Sequence, residues 1–369
     1  MNIPASPKPP IGLSHFPSLI REGYDYVDKS LLIQSVLDSP TRVLLLPRPR
    51  RFGKTLNLSM LQSFLERERP ENANLFRGLA IERAGVEYTA HQGRYPVVFL
   101  TLKDIKTQNW EHCLEHLQLL IAREFHRHKE ILEGDFLDEA EQARFRNIQH
   151  AKCSQPVCEQ SLSNLLTWLE RVHGEQVVLL IDEYDTPIHA GYQEGFYKEI
   201  TGFMRNWLSG ALKNHASLKK GVLTGILRVA KESIFSGLNN LEVAGILKAG
   251  PFEDKFGFTE TEVARLLGDA GLSEKLPEAR EWYNGYRFGE TVIYNPWSIL
   301  NFIHDQPAPP APHWINTSSN ELVRELLESG GEEIREDLES LLAGKSVECP
   351  VMEDLPLRDI KGDTWAIWS

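Results

Sequence analysis

The residues of this chain with the clearest chemical reach are Lys54, Thr55, Asp182 and Glu183. Gly53-Lys54-Thr55 follows the apolar run Val43-Leu44-Leu45-Leu46 and the loop Pro47-Arg48-Pro49-Arg50-Arg51-Phe52. A strand, a tight loop and a helix opened by Gly-Lys-Thr is the order of a phosphate-binding loop. Backbone N–H groups at the new helix start face phosphate oxygens, and the helix dipole favours their charge. In that reading Gly53 allows close backbone approach. Lys54 reaches the β- and γ-phosphates, and the Thr55 hydroxyl sits on Mg²⁺. Arg50, Arg51, Phe52 and Leu56 complete the nucleotide-contacting stretch. Arg48 stands where such loops commonly have glycine, so the turn must be made another way, with Pro47 and Pro49 as restraints. The plain alternative is an incidental strand–turn–helix.

The second group lies far along the chain. Val177-Val178-Leu179-Leu180-Ile181 is an apolar run ending in Asp182-Glu183. Such a run fits a strand buried on both faces of a parallel sheet. Carboxylates at its C-terminal end lie where α/β sheets bind ligands. Asp182 is the expected partner of the Mg²⁺ shell, and Glu183 can polarise the water that attacks a γ-phosphate. Taken alone, the run is equally an ordinary buried strand that reaches solvent at Asp182. The two motifs together, in this order, point to nucleotide hydrolysis.

Two more apolar runs must position these groups. Tyr95–Leu102 lies between the loop strand and the Asp-Glu strand, and Lys220–Ile226 follows a helical stretch. P-loop ATPases with an added strand between their motifs share this order. Thr224, near the end of the last run, is then the polar residue that senses the γ-phosphate; its bland reading is a strand-end threonine. Arg228, four residues further on, is placed to neutralise transition-state charge, or is a plain helix-surface arginine.

The whole chain sets bounds on these readings. Its 369 residues allow two or three domains, and its 25% charged and 41% hydrophobic composition is that of a soluble globular protein. No apolar run approaches the ~20 residues of a membrane span. The N-terminus lacks the apolar core of a secretory signal, so a cytoplasmic location is the default. A net charge of −12 argues against a broad basic surface for nucleic acid. Cys153 and Cys158 lie near His150, but no second Cys/His pair completes a zinc site; reduced structural thiols are expected.

Residues 1–250 read as an ATPase core with a helical insertion at about 108–173, and residues 251–369 as a mainly helical lid. Ser30 is a plausible N-cap for the helix-like residues 31–37. Thr259 and Glu262 form a capping-box pattern ahead of residues 263–267. Asn284 and Asn295 sit in aromatic–Gly/Pro turns, where they hold corners or contact nucleotide. Trp365 and Trp368 close the chain without a polar tail, which suggests a further domain or a partner.

With these motifs in hand, the chain resembles the bacterial AAA-ATPase-like family whose members commonly carry a C-terminal PD-(D/E)XK nuclease-superfamily domain. The likeness spans nearly the whole chain. It includes Tyr26-Val27-Asp28-Lys29, the loop from Arg48 to Thr55, Ile181-Asp182-Glu183-Tyr184-Asp185, Leu223–Arg228, Trp282–Tyr286 and Tyr294–Ser298. The resemblance implies an α/β fold: an ASCE-type P-loop parallel sheet flanked by helices, with a helical lid. The arginine-rich loop is a trait of that family. The resemblance also implies a nuclease-like domain after residue 369, which this chain lacks. Two functional readings follow. One is a Mg²⁺-dependent ATPase that regulates an attached effector acting on nucleic acid. The other is a slow or non-hydrolysing switch that forms homo-oligomers or binds a partner when it takes up ATP.

Overall fold

The structure is a computed structural model that describes residues 8–226, 234–235, 238–313, 327 and 331–349. Five strands form a parallel sheet: β1 (Val43–Pro47), β2 (Val97–Thr101), β3 (Val177–Asp182), β4 (Leu218–Gly225) and β5 (Leu241–Val243). Their order is β2-β3-β4-β1-β5. All four apolar runs seen in the sequence are strands. The short edge strand β5 has no apolar run of its own, and only its pairing with β1 makes it a strand.

Side chains alternate across the sheet because the pleat has a period of two. Val43 and Leu45 point into one core cluster, and Leu44 and Leu46 into another. Val177, Leu179 and Ile181 split in the same way from Val178 and Leu180. Both faces are buried, which explains runs that are apolar at every position. On one face lie α1 (Phe16–Arg21), α2 (Leu31–Asp38), α3 (Lys54–Leu65), α4 (Ala80–Arg83) and α5 (Val86–Thr89). The other is covered by α6 (Trp110–Arg127), α7 (Glu139–Gln149), α8 (Gln155–Glu159), α9 (Ser161–His173), α10 (Thr186–Glu194) and α11 (Tyr197–Leu212). Helices α6 to α9 occupy the stretch between β2 and β3.

The following region is more mixed than the sequence pattern suggests. It holds α12 (Glu260–Asp269), α13 (Leu276–Tyr283) and α14 (Pro296–His304), together with a three-stranded antiparallel sheet in the order β6-β8-β7. These strands are β6 (Phe258–Thr259), β7 (Asn284–Phe288) and β8 (Thr291–Tyr294). β6 is only two residues long, and β7 is exposed along most of its length, so neither leaves an apolar pattern in the sequence. A third core cluster forms here and includes Val263, Leu267, Tyr294 and Ile299, joined by Val27 from the N-terminal segment.

Local signals vary in outcome. Thr259 and Glu262 form the expected capping box at α12. Ser30 occupies the N-cap of α2 but makes no capping bond there, because its own backbone is already helical. Its hydroxyl accepts instead from the Ile81 N–H, 3.0 Å away. Asn295 caps α14 by accepting from the Ser298 N–H. Cys153 and Cys158 are not reduced thiols but a disulfide, since the chain turns into α8 and brings their Cα atoms to 5.9 Å. Cys113 and Cys349 are free. No helix among the described residues is long and apolar enough to cross a membrane. Arg228, Trp365 and Trp368 lie outside the described residues.

Candidate functional site

Strand register brings the separated motifs together. Leu46 lies opposite Thr224, and Ile181 opposite Leu223. The C-terminal ends of β1, β3 and β4 therefore share one edge of the sheet. That edge is where parallel sheets present their ligand sites.

Asp182 is fully buried at this edge. The Thr55 hydroxyl donates to its Oδ2 at 2.7 Å, and the Thr224 hydroxyl donates to its Oδ1 at 2.7 Å. Both carboxylate oxygens are thus engaged by residues from different elements. A carboxylate and hydroxyl oxygens are hard donors, and such a set suits Mg²⁺.

The loop before α3 is shaped by three departures from ordinary backbone. Gly53 has φ 80 and caps α3 in the left-handed region, which glycine enters without a Cβ penalty. Arg51 has φ 68, unusual for a residue with a side chain. Its guanidinium lies 4.3 Å from the ring centroid of Trp297 in α14, a cation–π contact that braces the loop. Glu183, just past β3, has φ 51. Its Oε2 accepts from the Thr186 hydroxyl at 3.4 Å, and the residue is half-buried.

Arg48 answers the question of the missing glycine. Its backbone N–H donates to the Gly225 carbonyl at 3.0 Å, fastening the loop to β4. Its side chain is fully buried and donates to the carbonyls of Pro47, Ala244 and Phe252 at 2.8, 2.6 and 3.2 Å. The guanidinium also packs 5.0 and 5.1 Å from the rings of Phe256 and Phe288. Burial lowers it to about 10, still far above neutrality. Arg48 is a structural cation beneath the loop.

Lys54 is buried, and its Nζ donates to the carbonyls of Arg48 and Pro49, both at 3.0 Å. Burial lowers its pKa; Asp185, Glu183 and Asp182 act against that shift. The amine thus stands in a field of three carboxylates while folded onto its own loop. Phe52 is buried, with ring centroids of Tyr286 and Phe288 at 4.8 and 5.3 Å. Arg50 is exposed, and Leu56 packs partly buried beside the α1–α3 core.

Of the residues singled out from sequence, the structure brings together Lys54, Thr55, Asp182 and Thr224, with Glu183 at the margin. Phe52 and Arg51 turn toward the β6–β8 region rather than toward Asp182. Sequence reasoning named Asp185 in a motif but gave it no role. Its Oδ2 accepts from the Ile226 N–H at 2.8 Å, joining the turn after β3 to the end of β4. A Cβ on Gly225 would lie 2.5 Å from Asp185 Oδ1, so glycine is required there. A third carboxylate three residues after Asp182 was the available signal. Trp297 carried no such signal, because its role depends on α14 packing beside the loop.

Comparison with known proteins agrees with this geometry. Residues 10–235 match the family model described as Predicted AAA-ATPase. The chain is also 30% identical over 333 residues to an uncharacterized protein in the vnfD 5′ region of Azotobacter chroococcum mcd 1. That match covers 87% of this chain and 56% of the relative, so the chain spans about half the length of the curated relative it matches. No solved structure matches it significantly. With its parallel sheet and buried aspartate in the matched segment, the chain belongs to the predicted AAA-ATPase family.

Proposed function

We propose that this chain binds ATP with Mg²⁺ at the loop of residues 48–55 and hydrolyses the terminal phosphate. The observation that carries the reading is the convergence of Thr55 and Thr224 on the two oxygens of buried Asp182. Thr55 and Asp182 would hold Mg²⁺, which when bound neutralises charge on the β- and γ-phosphates. Lys54 releases the carbonyls of Arg48 and Pro49 and turns its ammonium to the phosphates. Backbone N–H groups at the start of α3 face the same oxygens. Glu183 accepts a proton from the attacking water and aims it. Thr224 acts first as a positioning residue, through the oxygen of Asp182 it engages. Arg50 and Arg228 are available as further positive charge.

The resemblance to nuclease-bearing relatives supports a wider role in which the ATP cycle regulates an attached effector that acts on nucleic acid. The contact of Arg51 with Trp297 supports a route for it, since movement of the loop would be felt in α14. The self-bonded state of Lys54 favours a second reading, in which ATP uptake rearranges the loop and turnover is slow.

The deciding experiment compares ATP binding and phosphate release in the wild type, Lys54→Ala and Glu183→Gln with Mg²⁺ present. The ATPase reading expects both variants to lose turnover by roughly a hundredfold or more, with binding kept by Glu183→Gln. Wild-type turnover in Glu183→Gln removes it from the role of base. Tight binding without turnover in the wild type favours the switch, and oligomer size with and without ATP then tests it.

A further inference from the structure

A second polar site lies at the opposite end of the sheet. A recess of about 260 Å³ opens where β1, β3 and β4 begin, lined chiefly by Arg42, Lys219, Lys220, His91, Gln176 and Ser39. Lys219 stands five residues before Thr224 on β4, which at ~3.3 Å per residue separates the recess from Asp182 by roughly 16 Å. The recess is independent of the phosphate loop.

No ion pair closes it: among the described residues, no carboxylate lies within ion-pair distance of Arg42, Lys219 or Lys220. The acids nearby bond to other groups, and Glu242 and Asp38 reach Lys220 only through the longer-range field. Glu242 accepts from the hydroxyls of Ser39 and Thr41, each at 2.8 Å. Asp38 accepts from the Tyr88 hydroxyl, and Glu175 from Arg94 at 3.1 Å.

Lys220 is only 7% exposed. It is held by two carbonyls, Ser39 at 2.5 Å and Thr41 at 2.7 Å. An ammonium has three donors, so one remains. Arg42 spends one N–H on the Leu218 carbonyl. His91 engages the Tyr95 hydroxyl through Nδ1 at 2.5 Å, which leaves Nε2 unused. A buried ammonium without an ion pair is costly, and an anionic ligand would offset that cost. Burial, with Lys219 and Arg42 adding to it and Glu242 and Asp38 acting against it, brings Lys220 down to about 8.

We propose that this recess binds the phosphate group of a small phosphorylated ligand or of a nucleic-acid strand. Three cations in one recess favour a multiply charged oxyanion over a single carboxylate. Free donors on Arg42, Lys219 and Lys220 match the several acceptor oxygens of a phosphate. Gln176 is held by the Ala216 carbonyl at 2.7 Å and forms the wall. The recess is larger than a bare phosphate needs, leaving space for the group that carries it.

The test is calorimetric titration of the full chain with inorganic phosphate and, separately, with a short single-stranded DNA lacking terminal phosphates. Wild type is compared with Arg42→Ser/Lys219→Ser and with Lys54→Ala, which reports on the loop at the other end. The expected result is phosphate binding kept by Lys54→Ala and weakened roughly tenfold or more by the double variant. DNA binding that depends on Arg42 and Lys219, without phosphate binding, supports the same site and assigns the strand as the source. Binding that vanishes in Lys54→Ala and is untouched in the double variant overturns the proposal, as does absence of both heats. Should the double variant not fold, acylation of the Lys219 amine in the wild type decides the matter. Phosphate or DNA slows it if the recess is occupied, and an unchanged rate with both overturns the proposal.

Discussion

Individual residues here do work that their type alone would not suggest. Arg48 is the clearest case. It occupies the position where phosphate-binding loops commonly have glycine, yet it satisfies three buried carbonyls. Arg48→Gly should therefore destabilise the protein by about 3 kcal/mol or more, because a cavity and unsatisfied carbonyls replace the side chain. Urea unfolding followed by circular dichroism checks this; an unshifted midpoint would show that the loop holds its shape without the arginine. Thr224 invites a finer test. If its hydroxyl holds Asp182 for a metal, Thr224→Val should raise the Mg²⁺ concentration for half-maximal turnover by about tenfold, and Thr224→Ser should restore it. A rate that falls equally at every Mg²⁺ concentration would argue instead for general damage to the strand end.

At the scale of elements, the question is what holds the β6–β8 region against the loop before α3. The Asn57 side chain in α3 donates to the Lys255 carbonyl at 2.8 Å. Gly257, at φ 77, is packed so closely that a Cβ would come within 2.8 Å of the Phe52 ring. The strongest tie is ionic. Lys29 is buried and donates to both oxygens of Glu262 in α12, at 2.7 and 2.6 Å, and to the Asp254 carbonyl at 2.7 Å. Burial, with a small push from Lys255, lowers the Lys29 pKa, and Glu262 resists that shift. Removing one partner of such a pair strands the other, though Glu262 keeps some solvent contact. Lys29→Met should cost about 2 kcal/mol, read locally as faster amide exchange in α12 and α14 than in β1, β3 and β4. Equal acceleration in all of these elements would mean that the pair supports the whole fold rather than this docking.

At the scale of the whole molecule, the sheet has a second buried charge system besides the site. Glu124 of α6 accepts from the Phe99 N–H at 2.9 Å and pairs with Arg127, which also pairs with Glu66 after α3. His128 and Glu130 extend the network toward His173. It links helices on both faces of the sheet across the start of β2. Burial would raise the Glu124 carboxyl, but Arg127 and His128 outweigh it and hold it at about 2, against an ordinary 4.5. A depressed carboxylate stabilises the fold fully above its unfolded pKa and loses that contribution as pH falls toward the folded one. Stability should thus drop between about pH 4.5 and pH 2, and Glu124→Gln should flatten that part of the curve while lowering stability at pH 7 by about 3 kcal/mol. Urea midpoints across this range supply the check. Parallel curves for the two proteins would remove Glu124 from the acid response.

The long, locally encoded parts of this protein are readable from its residues. Four strands were legible because burial on both sheet faces demands unbroken apolar runs. The turn and helix before and along α3 were legible because Gly-Lys-Thr follows such a run and a helix-forming stretch follows it, and the α12 cap because Thr259 and Glu262 are only three residues apart. Tertiary structure decided everything that depends on register between distant segments. Thr55 and Asp182 are separated by 127 residues, and only the alignment of β1, β3 and β4 sets two hydroxyls on one carboxylate. The inward course of Arg48, the stacking of Arg51 on Trp297 and the basic recess at the start of the strands have the same origin. Each needs partners whose nearness arises from packing, and packing is a property of the folded chain as a whole.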